Sequence, residues 1–91
     1  MAIPSVSADP AHAADVDRSA ALVAELLAEL GAQTEIVTEG GKPAVIGRFP
    51  GPEGTPRVTL YAHHDVQPVG NPTQWTTAPF AAEERDGRLF G

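Results

Sequence analysis

The sequence has no cysteine among its 91 residues and few basic or aromatic side chains. Without cysteine, disulfides and thiolate-bound metals are excluded, and nothing indicates an oxidising compartment. Six basic against twelve acidic residues give a net charge of −6. With no basic run, this balance argues against nucleic acid as a partner. The sequence also lacks a secretory start and a run of apolar residues long enough to span a membrane. We therefore expect a cytoplasmic protein with no membrane partner.

The chain is too short for a large core. Hydrophobic residues make up 42% of it, as in many globular proteins, but aromatics make up only 5%, beside 9 glycines and 9 prolines. Such a length can form one small domain, but not a protein with a large core. Small chains without disulfides usually need a metal or a partner to stay folded. Length and composition therefore agree with a piece of a larger domain.

One long helix is predicted over residues 10–30. Asp9 suits the N-cap, Pro10 suits the first helical position, and Gly31 gives the stop signal. Between them, apolar residues recur at spacings of three and four, which is typical of one buried helix face. These residues are Val16, Ala20, Val23, Leu26, Leu27 and Leu30. We expect this stripe to pack on a sheet as core and not to bind a cofactor.

Several strands are predicted around loops of turn-forming residues. The predicted strands and hairpins cover residues 34–38, 44–49, 57–62 and 83–91. Gly40-Gly41 and Asp86-Gly87 are the predicted turns, and residues 66–81 are predicted as a long irregular loop. The near-continuous apolar run at 57–62 favours a strand covered on both faces. The sequence thus predicts an α/β fold with one long helix followed by three to five strands of a mixed sheet.

The candidate site lies at the carboxyl end of the third predicted strand, where α/β sheets usually bind ligands. Alternation along an extended chain places His63 and Asp65 on one face and His64 on the other. An imidazole can bind a metal while a nearby carboxylate holds its other ring nitrogen. Taken alone, however, a His-x-Asp pair is more often a surface ion pair. Ser5 and Ser7, in an extended lead-in, are predicted to be structural, because no base is placed near them.

A longer pattern extends from this pair to the end of the sequence. Its residues are His63, Asp65, Val66, Gln67, Pro68, Trp75, Pro79, Phe80, Asp86, Gly87, Leu89, Phe90 and Gly91. With this pattern the chain resembles the carnosinase-like dipeptidases. They belong to the di-zinc hydrolase superfamily that includes acetylornithine deacetylase, succinyl-diaminopimelate desuccinylase and aminoacylase. The Val-Gln-Pro run points to the dipeptidase branch, whereas His64 stands where the family more often has Tyr or another bulky residue.

The resemblance implies that residues 1–91 are part of a zinc-peptidase catalytic domain. His63 would bind one of two zinc ions, with cobalt or manganese as alternative metals, and Asp65 would be the catalytic carboxylate that orients His63. Trp75 and Phe80 would line a substrate pocket or, more commonly for such residues, anchor the loop. The family's bridging aspartate, paired glutamates and dimerisation domain would follow Gly91. The resemblance therefore implies a small peptide substrate, a homodimeric complete enzyme and an inactive partial chain.

Two other interpretations stay open at the level of sequence. The chain could be a stand-alone α/β binding or interaction module in which the His-x-Asp-Val-Gln-Pro run is a coincidence. It could also be a non-catalytic remnant of the enzyme. The sequence downstream of Gly91 would distinguish them, because an in-frame Arg-Gly-x-x-Asp followed by Glu-Glu belongs only to the enzyme.

Overall fold

The computed structural model describes residues 2–91 of the chain. Within them, one long helix precedes two separate antiparallel sheets of two strands each. The elements are α1 (Ala13–Glu29), β1 (Gln33–Val37), β2 (Ala44–Arg48), β3 (Glu83–Arg85) and β4 (Arg88–Phe90), with 3-10 turns at Pro10–His12 and Pro72–Gln74. The predicted α/β class is confirmed. The predicted mixed sheet is not formed within residues 2–91, because each strand pairs only with its neighbour along the chain.

Both ends of the helix form as their sequence signals predict. The Asp9 side chain accepts a hydrogen bond from the Ala11 amide at 2.9 Å, and the first turn is a 3-10 turn that leads into α1. At the other end, Gly31 has a φ of +93° and Ala32 donates its amide proton to the Leu27 carbonyl at 3.0 Å. This arrangement is a glycine-terminated helix cap that satisfies the last carbonyl groups. Within residues 2–91, no helix combines the length and the apolar character needed to span a membrane.

The first hairpin packs beneath the helix. Strands β1 and β2 pair in antiparallel register from Gln33 opposite Arg48 to Val37 opposite Ala44. Gly47 of β2 lies directly under the helix, since a Cβ at this position would be 3.0 Å from Leu27 Cδ1. The close approach of the helix to the hairpin therefore depends on a residue without a side chain.

The core is small and lies at the amino-terminal half of the helix. Val16 and Ala20 are each 1% exposed, and Val6 from the lead-in packs there at 4%. The predicted stripe is wrong at its carboxyl-terminal end, where Leu26 is 49% exposed and Leu30 is 73% exposed. Leu26 lies at the edge of the stripe and Leu30 follows the last helical residue, so the two-stranded hairpin does not cover them.

The strand predicted at residues 57–62 is not formed. Val58, Leu60 and Tyr61 are 79%, 92% and 92% exposed, and the segment joins neither sheet within the described chain. A strand is stabilised by backbone hydrogen bonds to a neighbouring strand. Neither hairpin supplies such a neighbour here, so the apolar pattern alone does not produce the strand.

The remaining predicted elements are present. Strands β3 and β4 form the predicted hairpin, with Asp86 and Gly87 at φ values of 50° and 73°. Two consecutive residues with positive φ are typical of the tight turn that Asp-Gly favours. The predicted loop at residues 66–81 is irregular apart from its short 3-10 turn.

Candidate functional site

The site residues are fixed by the lead-in segment of the chain. Val6 forms a parallel bridge with Val66, and the Val66 amide donates to the Ser5 carbonyl at 3.0 Å. The buried Ser5 hydroxyl donates to the His64 carbonyl at 2.8 Å. The segment before the helix therefore lies beside the His63–Asp65 turn, although about 58 residues separate the two in sequence.

The hydrogen bonds of His63 define which ring nitrogen is free. Its Nδ1 lies 2.9 Å from the Asp65 carbonyl oxygen and 3.1 Å from Asp65 Oδ1. Both oxygens only accept, so Nδ1 carries the proton of this contact, and Nε2 has no hydrogen-bond partner among residues 2–91. The side chain is 73% exposed. His63 thus has the orientation and the accessibility that a metal ligand requires.

Asp65 contacts two side chains through its two carboxylate oxygens. Oδ1 faces His63, and Oδ2 accepts a hydrogen bond from the Ser7 hydroxyl at 2.5 Å. The hydrogen bond from Ser7, opposed by burial and helped by His63, holds the pKa of Asp65 below its ordinary value of 3.8. The carboxylate is therefore negatively charged at neutral pH and can orient an imidazole.

His64 turns the other way, as the alternation predicts. Its Nε2 lies 3.2 Å from the Pro43 carbonyl, and its Nδ1 lies 3.2 Å from the Ser19 hydroxyl. Because a carbonyl cannot donate, Nε2 must carry a proton and donate it. Both ring nitrogens of His64 are thus engaged inside the fold, so His64 presents no lone pair for a metal.

The arrangement of serine, carboxylate and imidazole does not form a nucleophilic triad. In such a triad the serine contacts the imidazole nitrogen opposite the one held by the carboxylate. Here Ser7 donates its proton to Asp65 instead. This contact agrees with the predicted structural role of Ser7. The sequence analysis did not predict that the partner of Ser7 is the carboxylate of the site. No local pattern in the sequence indicates this contact, because Ser7 and Asp65 are 58 residues apart.

Trp75 and Phe80 line a small pocket whose residues all follow Asp65 in the sequence. The pocket holds about 230 Å³ and its lining is more apolar than polar. It is lined by Val66, Gln67, Pro68, Val69, Trp75, Pro79, Phe80 and Gly91. Trp75 Nε1 also donates to the Val69 carbonyl at 2.9 Å. The Trp75 side chain therefore both fixes the loop and lines the pocket. A larger pocket of about 380 Å³, at the β3–β4 hairpin, contains no predicted site residue.

The described residues do not form a closed metal site. Nowhere in residues 2–91 do three or more His, Cys, Asp or Glu side chains lie close enough together to hold a metal ion. Catalytic zinc sites usually have three protein ligands. His63 has the geometry of one such ligand, and Asp65 has that of the carboxylate that supports it.

Comparison with curated proteins identifies relatives along nearly the whole chain. The chain is 37% identical over 83 residues to a cysteinylglycine-S-conjugate dipeptidase of Corynebacterium striatum, covering 90% of this chain and 18% of the relative. It is 36% identical over 91 residues to a succinyl-diaminopimelate desuccinylase of Bordetella pertussis, covering 100% of this chain and 22% of the relative. It is 31% identical over 98 aligned residues to a Beta-Ala-His dipeptidase of Rattus norvegicus, covering 96% of this chain and 20% of the relative.

These matches extend over only part of each relative. The chain spans about a fifth of the length of the curated relatives it matches. No protein-family model matches the chain, and no solved structure matches it. The names of the relatives agree with the resemblance carried by the His63 to Gly91 pattern.

Proposed function

We propose that the chain, which is similar to these dipeptidases and desuccinylases, forms part of the catalytic domain of a dipeptidase. The proposed substrate is a dipeptide or a related N-acyl amino acid, and the proposed reaction is hydrolysis of its amide bond. The Val-Gln-Pro run at residues 66–68 supports the dipeptidase branch over the desuccinylases. Two of the relatives above are named dipeptidases.

The observation that carries this proposal is the orientation of the His63 ring by its hydrogen bonds. Its Nδ1 proton is directed to two oxygens of Asp65, and its Nε2 makes no hydrogen bond within residues 2–91. An exposed ring that is held through Nδ1 and has Nε2 without a partner has the orientation that a metal ligand needs.

We propose zinc as the metal, with cobalt or manganese as alternatives, and two ions in the complete enzyme. His63 would hold one ion through Nε2. When bound, such ions polarise the scissile carbonyl and lower the pKa of a water molecule. In this proposal Asp65 holds the Nδ1 proton and so keeps Nε2 unprotonated. The apolar pocket beside Trp75 and Phe80 would contact a substrate side chain.

Residues 1–91 alone are expected to be inactive, because the described part of the chain brings together no set of three ligands. The proposal therefore includes a longer, homodimeric enzyme in which further residues complete the site. A cytoplasmic location and the absence of nucleic acid or membrane partners also belong to the proposal. The net charge of −6 and the absence of cysteine support them.

A chimaera tests the proposal. Residues 1–91 replace the matching segment of the Corynebacterium striatum dipeptidase, and bound zinc and hydrolysis of a cysteinylglycine conjugate are measured. We expect an active chimaera in which His63→Ala loses one zinc ion per chain and nearly all activity. His64→Ala is the matched control and should keep both zinc ions. Full zinc content in the His63→Ala chimaera would contradict the assignment.

A further inference from the structure

The Asp65 carboxylate has little packing to hold it in place. Its side chain is 38% exposed, so surrounding atoms fix its rotation only in part. A carboxylate bound through one oxygen can still change its rotamer about the Cα–Cβ bond. Asp65 is bound through both oxygens, because Oδ1 faces the His63 ring and Oδ2 accepts from the Ser7 hydroxyl. The second hydrogen bond therefore determines where the first oxygen points.

Ser7 is itself fixed by its own segment. It follows Val6, which is 4% exposed and forms the bridge to Val66. The Val6 carbonyl accepts from the Asp9 amide at 3.1 Å, so the backbone on both sides of Ser7 is hydrogen-bonded. The hydrogen-bonded backbone therefore holds the short Ser7 side chain, and with it the donating hydroxyl, in place. A hydroxyl on a long, exposed side chain would not be held in this way.

We propose that Ser7 is a positioning residue that holds the Asp65 carboxylate against His63 and thereby orients the His63 ring. This inference rests on the proposed function, because orientation of His63 matters most if its Nε2 binds a metal. Ser7 contacts neither a metal nor a substrate and acts only through Asp65. Supporting residues of this kind usually change metal affinity by about 10–100-fold.

Ser5 provides a matched control in the same segment. Ser5 lies two residues before Ser7 in the same segment. Its hydroxyl donates to the His64 backbone carbonyl and not to a site side chain. Ser5→Ala should therefore lower stability without freeing the Asp65 carboxylate. Ser7→Thr keeps a hydroxyl and should retain the contact, whereas Ser7→Ala removes it.

The test is nuclear magnetic resonance on the 91-residue chain without metal. Three-bond couplings between the Asp65 α and β protons report whether its side chain occupies one rotamer or several. We expect one rotamer in the unsubstituted chain, in Ser7→Thr and in Ser5→Ala, and averaging in Ser7→Ala with an otherwise unchanged amide spectrum. Averaged couplings in the unsubstituted chain, or unchanged couplings in Ser7→Ala, would overturn the proposal.

A zinc titration of the chimaera described above, followed at the His63 ring, separates this proposal from the proposed function. Ser7→Ala should weaken zinc binding by about 10-fold, and should cause no further loss in a chain that already carries Asp65→Asn. Equal losses in both backgrounds would show that Ser7 acts independently of Asp65 and would overturn its assigned role. If rotamer averaging appears but zinc never binds at His63, the positioning role stands and the proposed function fails.

Discussion

At the scale of single residues, two adjacent histidines differ through their hydrogen-bond partners. His63 directs Nδ1 to Asp65 and leaves Nε2 free, whereas His64 uses both nitrogens on Ser19 and Pro43. A ring with both nitrogens engaged must break a hydrogen bond before it can bind a metal. The partners, and not the residue type, therefore decide which histidine is the candidate ligand.

This difference predicts an order of effects among substitutions in the chimaera described above. His63→Ala should be the most damaging to metal content and activity, because it removes the ligand itself. Asp65→Asn should come next, lowering metal affinity or rate by about 10–100-fold, because the amide keeps the shape but weakens the acceptor. His64→Ala should be the mildest. Metal analysis and initial rates measure the order, and a His64→Ala variant worse than the other two would contradict it.

The charge of Asp65 predicts how stability depends on pH. Its pKa is lowered in the folded chain, first by the hydrogen bond from Ser7, so the folded state favours the ionised carboxyl. Its contribution to stability should be fully present above the ordinary value of 3.8, and should be lost as pH falls through the lowered value. Carbon resonances of the Asp65 carboxyl, followed against pH, measure this. Ser7→Ala should raise the titration midpoint of the Asp65 carboxyl. A midpoint above 3.8 in the unsubstituted chain would contradict the lowered pKa of Asp65.

At the scale of elements, signals from nearby residues predicted structure well. Asp9 and Gly31 set the helix ends, and Asp86-Gly87 sets the second hairpin, because each forms its hydrogen bonds within a few residues. Residues 57–62 failed as a strand because their pairing depends on a distant partner. In the site, alternation placed His63 and Asp65 together, but no local pattern reveals that Ser7 lies beside them.

The helix end gives a prediction on stability. Gly31 has a φ of +93°, and Ala at this position would be forced into the left-handed region. Gly31→Ala should lower the free energy of unfolding by about 1 kcal/mol. Gly41→Ala is the control, since a Cβ there meets no atom within 4 Å and its φ lies outside that region. Urea unfolding followed by circular dichroism compares the two, and equal effects would show that the cap is not the cause.

At the scale of the whole molecule, little apolar surface is buried. Beside the small core at Val16, large apolar side chains remain exposed on the helix, on the hairpins and on residues 57–62. Exposed apolar patches usually mark surfaces that another segment or partner covers. This distribution agrees with a chain that spans about a fifth of its relatives' length.

The exposed segment predicts dye binding. The isolated chain should bind a hydrophobic dye such as anilinonaphthalene sulfonate, because Leu60 and Tyr61 are each 92% exposed. The double substitution Leu60→Ser and Tyr61→Ser should lower the dye fluorescence without lowering the melting temperature. A matched substitution in the core, Val16→Ala, should instead cost roughly 2 kcal/mol of stability. A drop in melting temperature for the double variant would show that residues 57–62 are packed.

The incomplete ligand set predicts weak metal binding by the isolated chain. His63 is the one proposed ligand, and the described residues contain no group of three side chains that could hold an ion. One ligand cannot form a closed zinc site, so calorimetric titration should give weak binding. The His63→Ala chain, as control, should bind more weakly still. The complete chimaera should bind zinc far more tightly than the isolated chain, because the other ligands are then supplied. Tight one-to-one binding by the isolated chain, abolished in His63→Ala, would mean that further ligands lie within these 91 residues.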